Sequence, residues 1–342
     1  MSNHSSQSRS DGFSEFREFI QNHHRFLIVT HMGPDGDGLL SCLALSLYLK
    51  EKGRNAIVVT EDEVPDFVSF FNVEEIILSS DKLLTQNEWK NDFDSVLILD
   101  AGKLSRLGKL ESPILSSSLP IAIMDHHIRE DDDPDCPKLV DENASSVGEL
   151  LSDFLEEEKY DFRNLKLARL LYAAIVYDTG QFRFTNTTSK TLNWGKRFVE
   201  LGVNPGEAYS IFWESNGIGS VKLLAKLMSE LKILCNDRLA SFRLTQKDLK
   251  EFGVKKEETD EFISIPRGID SIEVVVFCSE LENGKIRVSL RSKGKVEIHE
   301  VAMKFGGGGH AFASGVRMRG PIEKAEEKIL SALSDQIKKA LD

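Results

Sequence analysis

At 342 residues, 41% hydrophobic and 29% charged, the chain has the composition of a globular protein with room for two domains, which argues against a disordered or fibrous molecule. A net charge of −12 excludes the broad cationic surface on which long, sequence-independent nucleic-acid binding relies. The acidic excess is uneven: residues 1–200 carry 21 basic and 34 acidic side chains, residues 201–342 carry 22 and 21, and the stretch from Lys285 to Arg319 has eight basic against two acidic, enough to meet a small anion or a few phosphates.

The opening MSNHSSQSRS is polar and lacks the apolar segment of a signal peptide, so residues 1–12 read as a disordered tail. RFLIVT then reads as a strand, GLLSCLALSLYLKEKG as a helix ending at Gly53, and NAIVVT, SVLILD and IAIMD as strands. SVGELLSDFLEEE and NLKLARLLYAAIVYD follow as helices, with the charged REDDDPD between as a solvated loop. Short continuous apolar runs between helices predict an α/β domain over residues 13–201, a parallel sheet with helices on both faces. Residues 202–221 are rich in Gly, Pro, Asn and Ser and read as a linker with one short helix. Residues 222–342 read as a smaller α+β domain: a helix VKLLAKLMSELKIL, strands LASFRLT, IEVVVFCSE and KIRVSLRSK, a Gly-rich loop, and a closing helix IEKAEEKILSALSDQIKKAL. No apolar run approaches membrane-spanning length. Cys42, Cys136, Cys235 and Cys278 have no C-x-x-C spacing and read as cytosolic thiols, which with the missing signal segment predicts a cytoplasmic protein.

Four N-terminal elements finish on side chains able to hold a metal. FLIVT leads into His31, Asp35 and Asp37; SVLILD ends on Asp100; IAIMDHH ends on Asp125, His126 and His127; LLYAAIVYD ends on Asp178. One Asp at the end of an apolar run is ordinarily a cap or turn former. In an open α/β sheet, however, strand ends converge on one crevice, and several carboxylates gathered there repel one another unless a cation compensates them. Five carboxylates and two or three imidazoles without a thiolate suit manganese or magnesium better than structural zinc. They exceed the needs of one octahedral ion and suggest a pair sharing a carboxylate, about 3.5–4 Å apart, the arrangement that serves in-line phosphoester hydrolysis.

HMGPDGDGLLS, LILDAG, MDHH and VYDTGQFRF together resemble the four motifs of the DHH phosphoesterase superfamily, and FGGGGHAFASG resembles the signature of the DHH-associated C-terminal domain. The resemblance runs from about Phe26 to Gly315, and is strongest to the compact two-domain branch of nanoRNases with pAp phosphatase activity and of cyclic dinucleotide phosphodiesterases. It implies an active site in the cleft between the domains. It makes His31 and Asp35 ligands of one divalent ion, Asp37, His126 and Asp178 ligands of a second, and Asp100 the bridge, with manganese favoured over magnesium or cobalt. Asp100 and His127 become the catalytic candidates, His127 contacting the scissile phosphate or assisting the leaving group, and Asp125 orients an imidazole from behind. The chain departs from the family pattern at Gly38, where an alanine is expected and the change should be harmless, and at Leu40, where a glycine is expected and the local packing comes into question.

In the second domain Arg291 supplies a guanidinium, and Gly307, Gly308, Gly309 and His310 offer backbone N–H groups and an imidazole to an anion. The resemblance assigns Arg291 and His310 to substrate binding. Asn143, Ser145 and Ser146 could add contacts, although Ser146 and Glu149 equally fit a helix-capping box. The expected substrates are short oligoribonucleotides, cut to 5′-mononucleotides, and pAp. Cyclic dinucleotides or their linear products are the alternative, and long nucleic acids and membranes are not expected partners. Pyrophosphatase, long-strand exonuclease and a non-catalytic nucleotide sensor rank lower: the C-terminal signature, the chain length and the full ligand set speak against them in turn. A homodimer is left open.

Overall fold

The computed structural model describes residues 9–341 except 62, 87, 128–133 and 282–283. Residues 1–8 of the expected tail and most of REDDDPD therefore lie outside the described residues. Residues 9–12 do not belong to a tail, because helix α1 (Arg9–Asn22) begins there. Phe13, Phe16, Phe19 and Ile20 recur at helical spacing and are buried, two of them on the ring of Phe154.

By its internal contacts the chain divides into Met1–Ser215 and Asn216–Asp342. The first unit continues with β1 (Arg25–Val29), α2 (Gly36–Glu51), β2 (Asn55–Thr60), β3 (Ile77–Ser79), α3 (Ser80–Leu84), β4 (Ser95–Leu99), α4 (Glu111–Ser116), β5 (Ile121–Asp125), β6 (Lys138–Val140), α5 (Val147–Glu157), α6 (Leu165–Asp178), α7 (Ser189–Glu200) and α8 (Pro205–Trp213). Its sheet is parallel throughout, in the order β3-β2-β1-β4-β5-β6. Side chains alternate between two cores. Phe26, Ile28, Val58, Leu97, Leu99 and Met124 face the long helices α1, α2, α5 and α6, while Leu27, Val29, Val59, Val96, Ile98 and Ile123 face short helical turns around Leu83, Leu107, Leu110 and Ile114. The strand order reverses between β1 and β4, which opens a crevice at their carboxyl ends.

The second unit comprises α9 (Ile218–Ser229), β7 (Lys232–Leu234), β8 (Leu239–Leu244), α10 (Gln246–Phe252), α11 (Ser264–Arg267), β9 (Val274–Glu280), β10 (Lys285–Ser292), α12 (His299–Lys304), β11 (Gly308–His310), β12 (Ala313–Arg319) and α13 (Ile322–Leu341). Its strands run in the order β11-β12-β10-β9-β8-β7, antiparallel except for β8 with β9. One face packs Val274, Val276, Ile286, Val288 and Leu290 on α12 and α13; the other packs Phe242 and Phe277 on α9 and Phe262. The expected helix over VKLLAKLMSELKIL stops at Ser229, and Lys232–Leu234 is instead a strand paired with β8. Among the described residues no helix is long and apolar enough to cross a membrane.

Candidate metal centre

His31, Asp100, Asp125 and His126 stand at the carboxyl ends of β1, β4 and β5, beside the crevice where the strand order reverses. Asp35 and Asp37 come from the start of α2. Asp35 is its N-cap and accepts from the Gly38 N–H at 3.0 Å, so one carboxylate closes the helix and still faces His31 Nε2 at 3.6 Å. Asp37 is fixed by a second helix: the Val147 and Gly148 N–H groups at the start of α5 donate to its two oxygens at 2.6 and 2.9 Å. Asp178 ends α6, and the Nδ2 of Asn186 ties its carbonyl to that of Ser145 at 3.1 and 2.9 Å.

These side chains form overlapping groups whose ligand atoms lie within 4.8 Å of one another: His31, Asp35 and Asp100; Asp37, His126 and Asp178; and Asp100, His126 and His127. Asp100 connects them. Its Oδ2 is 3.7 Å from His31 Nε2 and its Oδ1 is 3.5 Å from His126 Nε2, so the two oxygens serve different neighbours. Both histidines are held in the orientation a metal ligand needs. Nδ1 of His31 contacts the Met32 carbonyl at 2.9 Å and Nδ1 of His126 the Ala144 carbonyl at 3.3 Å, which turns each Nε2 toward the carboxylates. His31 Nε2 and Asp100 Oδ1 are buried without a hydrogen bond, as suits donors that would face a cation. Hard oxygen and imidazole donors with no thiolate fit divalent ions of the manganese or magnesium kind.

The protonation pattern has the same origin. Burial, then the nearby Asp100 and Asp178, pushes Asp37 well above the carboxylate range, and burial raises Asp178 to about 6. Burial alone would lower His126, but Asp100, Asp37 and Asp178 outweigh it and hold the imidazole at about 9. The clustered carboxylates thus favour positive charge beside them. His127 is held at about 10 by Asp100 and Asp125. Burial opposes ionisation of Asp125, yet its partners depress it to about 2: it accepts from the N–H groups of Gly102, His126 and His127 and from His127 Nδ1 at 2.9 Å. His127 is therefore oriented by Asp125 and keeps Nε2 as its remaining donor on a side chain 41% exposed.

Both departures from the family pattern are accommodated by the surrounding packing. Leu40 is fully buried in the core beneath the sheet, so its packing is in order. Gly38 is harmless as it stands, and it is alanine that would not fit: a Cβ there would lie 2.4 Å from Thr30 Oγ1 and 2.9 Å from Asp100 Oδ2. Ser145 and Ser146 are also not available to a substrate. Both are fully buried; Ser145 Oγ donates to Glu149 at 2.6 Å and Ser146 Oγ caps α5 by accepting from the Glu149 N–H. Asn143 is exposed and bonded to Asp141.

In the second unit the Gly run is not a loop. Gly308–His310 is the edge strand β11, and the glycines permit the pairing, since a Cβ at Gly307 would meet the Gly315 carbonyl at 2.2 Å. The register sets Ala313 beside both Arg291 and His310, which puts guanidinium and imidazole in one row on one face of the sheet. Arg291 is half-buried and His310 exposed, with Arg287 and Arg317 paired further along the same face. Glu297, His299 and Glu300 also approach one another here, but both glutamates are exposed.

Arg106 went unread in the sequence. It lies in the helical turn Leu104–Leu110 after β4, and its carbonyl accepts from the Met32 N–H at 2.7 Å. A cation six positions beyond a ligand-bearing strand end was the available signal.

The chain matches the sequence model of the DHH family, N-terminal domain, over residues 25–175 and that of the DHHA1 domain over residues 236–339. It is 30% identical over 306 residues to the bifunctional oligoribonuclease and PAP phosphatase NrnA of Bacillus subtilis (strain 168), covering 88% of this chain and 92% of that one. It is 32% identical to a probable NrnA of Streptococcus mutans, covering 86% and 90%. An exopolyphosphatase-related protein from Bacteroides fragilis has the same fold, with a TM-score of 0.88 over 98% of both chains at 22% identity.

Proposed function

Because the chain belongs to the DHH family of phosphoesterases, we propose that it hydrolyses short oligoribonucleotides to 5′-mononucleotides and removes phosphate from pAp, using two divalent ions, manganese first among them. The observation that carries this reading is the carboxylate of Asp100, whose two oxygens face different imidazoles. His31, Asp35 and Asp100 would hold one ion, and Asp37, His126, Asp178 and Asp100 the other. Such ions, when bound, lower the pKa of water and offset charge on the phosphoryl group.

The chain's own groups do the rest. The N-terminus of α5 holds Asp37 in place, so this buried carboxylate stays aligned with its neighbours. Asp125 fixes His127 and favours its protonated form, which suits Nε2 to donate to a phosphate oxygen or to the departing alkoxide. In the C-terminal unit, Arg291, His310 and the N–H groups of Gly307, Gly308 and Gly309 are the groups proposed to take a second phosphate of the substrate.

Turnover of pAp, a diribonucleotide and cyclic di-AMP, measured with manganese and with chelator, tests the proposal. The first two should be hydrolysed and chelator should abolish both reactions; hydrolysis of cyclic di-AMP alone would replace this reading with that of a cyclic dinucleotide phosphodiesterase. Asp100→Asn should cut kcat by more than about 100-fold, beyond what loss of an outer hydrogen bond costs.

A further inference from the structure

Arg106 stands beside the proposed metal centre and has no assigned task. Its backbone is pinned to the loop that carries His31 through the Met32 N–H. Its side chain lies over Gly102: a Cβ on that glycine would sit 3.4 Å from Arg106 Nη1 and 3.7 Å from His127 Cγ, so guanidinium and imidazole pack on the same bare backbone. Gly102 is buried, has φ +67°, and donates its N–H to Asp125, the residue that orients His127. The guanidinium is also close enough to act electrostatically on His31 and Asp35.

A half-buried arginine among so many carboxylates would ordinarily close onto one of them in a bidentate pair. Here three of the carboxylates are committed elsewhere: Asp125 to three N–H groups and His127, Asp35 to Gly38 and His31, and Asp37 to the start of α5. Among the described residues none accepts a hydrogen bond from the Arg106 guanidinium; the hydrogen bonds of this residue are those of its backbone, to Met32 and Lys103. A half-buried guanidinium with its donors unused, next to the imidazole assigned to the scissile phosphate, is suited to receive an oxyanion brought from outside.

We propose that Arg106 is a substrate-binding residue whose guanidinium donates to non-bridging oxygens of the phosphoryl group being cleaved, on the side of the site that His127 occupies. This rests on the phosphoesterase reading above and adds a positive group supplied by the N-terminal unit itself. Such a contact strengthens as charge gathers on the phosphoryl oxygens, so its loss acts on both binding and turnover. Lysine offers a point charge without the planar fork and should restore only part of the effect.

The test compares wild type, Arg106→Ala, Arg106→Lys and, as a control on the same turn, Lys103→Ala. Steady-state kinetics on pAp should show Arg106→Ala with KM raised about 10- to 100-fold and kcat lowered, Arg106→Lys between it and wild type, and Lys103→Ala near wild type. Inorganic phosphate, titrated calorimetrically into the manganese-loaded protein, should bind Arg106→Ala at least about tenfold more weakly, while manganese affinity and melting temperature hold. Unchanged KM and phosphate affinity would overturn the proposal, as would losses that simply follow weaker manganese binding or a lower melting temperature. Should wild type turn over neither pAp nor a diribonucleotide, the substrate reading fails separately, and the same variants are compared on bis-p-nitrophenyl phosphate. Equal rates there would remove Arg106 from the site.

Discussion

Gly38 and Thr30 show how closely single atoms shape the centre. Thr30 Oγ1 is buried without a hydrogen bond, and it fills the space in which a Cβ on residue 38 would stand. Alanine at 38, the residue of the general family pattern, would have to displace Thr30 or Asp100, and overpacking of this kind costs about 1–3 kcal/mol. Gly38→Ala should therefore lower kcat and manganese affinity, and the double variant Gly38→Ala with Thr30→Ala should recover both. Failure of the second change to rescue the first would show that the clash with Thr30 is not the cause. Asp100 carries a different constraint: its backbone has φ 56°, a left-handed conformation that a non-glycine residue adopts at a cost. That conformation turns the chain sharply where β4 ends, at the carboxylate on which both proposed ion sites depend.

Helix ends do much of the organising among the elements. Asp35 caps α2, Ser146 caps α5, and in the second unit Thr245 and Asp248 form a reciprocal capping box at the start of α10. Burial by itself would raise the Asp248 carboxyl, but donation from Lys226 and from Thr245 outweighs it and leaves the group below its ordinary value. A carboxyl depressed in the fold stabilises it above the unfolded value, and the contribution disappears as pH falls through the folded value. Asp248→Asn should thus cost about 1 kcal/mol at pH 7 and progressively less as the pH falls through the folded value, which lies below the ordinary carboxylate range. Urea melts at pH 7 and below the folded value decide it, since an equal cost at both would deny a role to the charge. The same elements show what could be read before the structure. The runs forming β1, β4, β5, α2 and α6 carry strong apolar patterns, and they were legible together with the acidic and imidazole side chains at their ends, which the fold brings together. The three-residue strands β3, β6, β7 and β11 carry too little pattern to reveal themselves. β11 was hidden further by glycines, which signal a loop but here allow backbones to approach. Arg106 was missed because its one local signal, a cation shortly after β4, does not by itself distinguish it from a surface cation until Gly102 and His127 are seen beside it.

At the scale of the molecule, each unit has its own pair of buried cores, and every proposed metal ligand belongs to the first. Calorimetric melting should therefore show two transitions, of which manganese moves one. At 100 times its dissociation constant an ion adds about 2.7 kcal/mol, which for a unit this size is a rise of about 2–4 °C per kcal/mol. A manganese-dependent shift of both transitions by the same amount would refute the assignment of all ligands to one unit. The strand order has a consequence in time as well. β1 pairs with β4, bringing Phe26 beside Ser95, and the ligands span the chain from His31 to Asp178. Much of the first unit must be synthesised and these distant segments joined before their side chains meet, so a bound ion would follow the folding of this unit rather than nucleate it. An ion held by these side chains would meet a finished crevice and would be expected to slow unfolding more than it speeds folding, which unfolding rates with and without manganese would show.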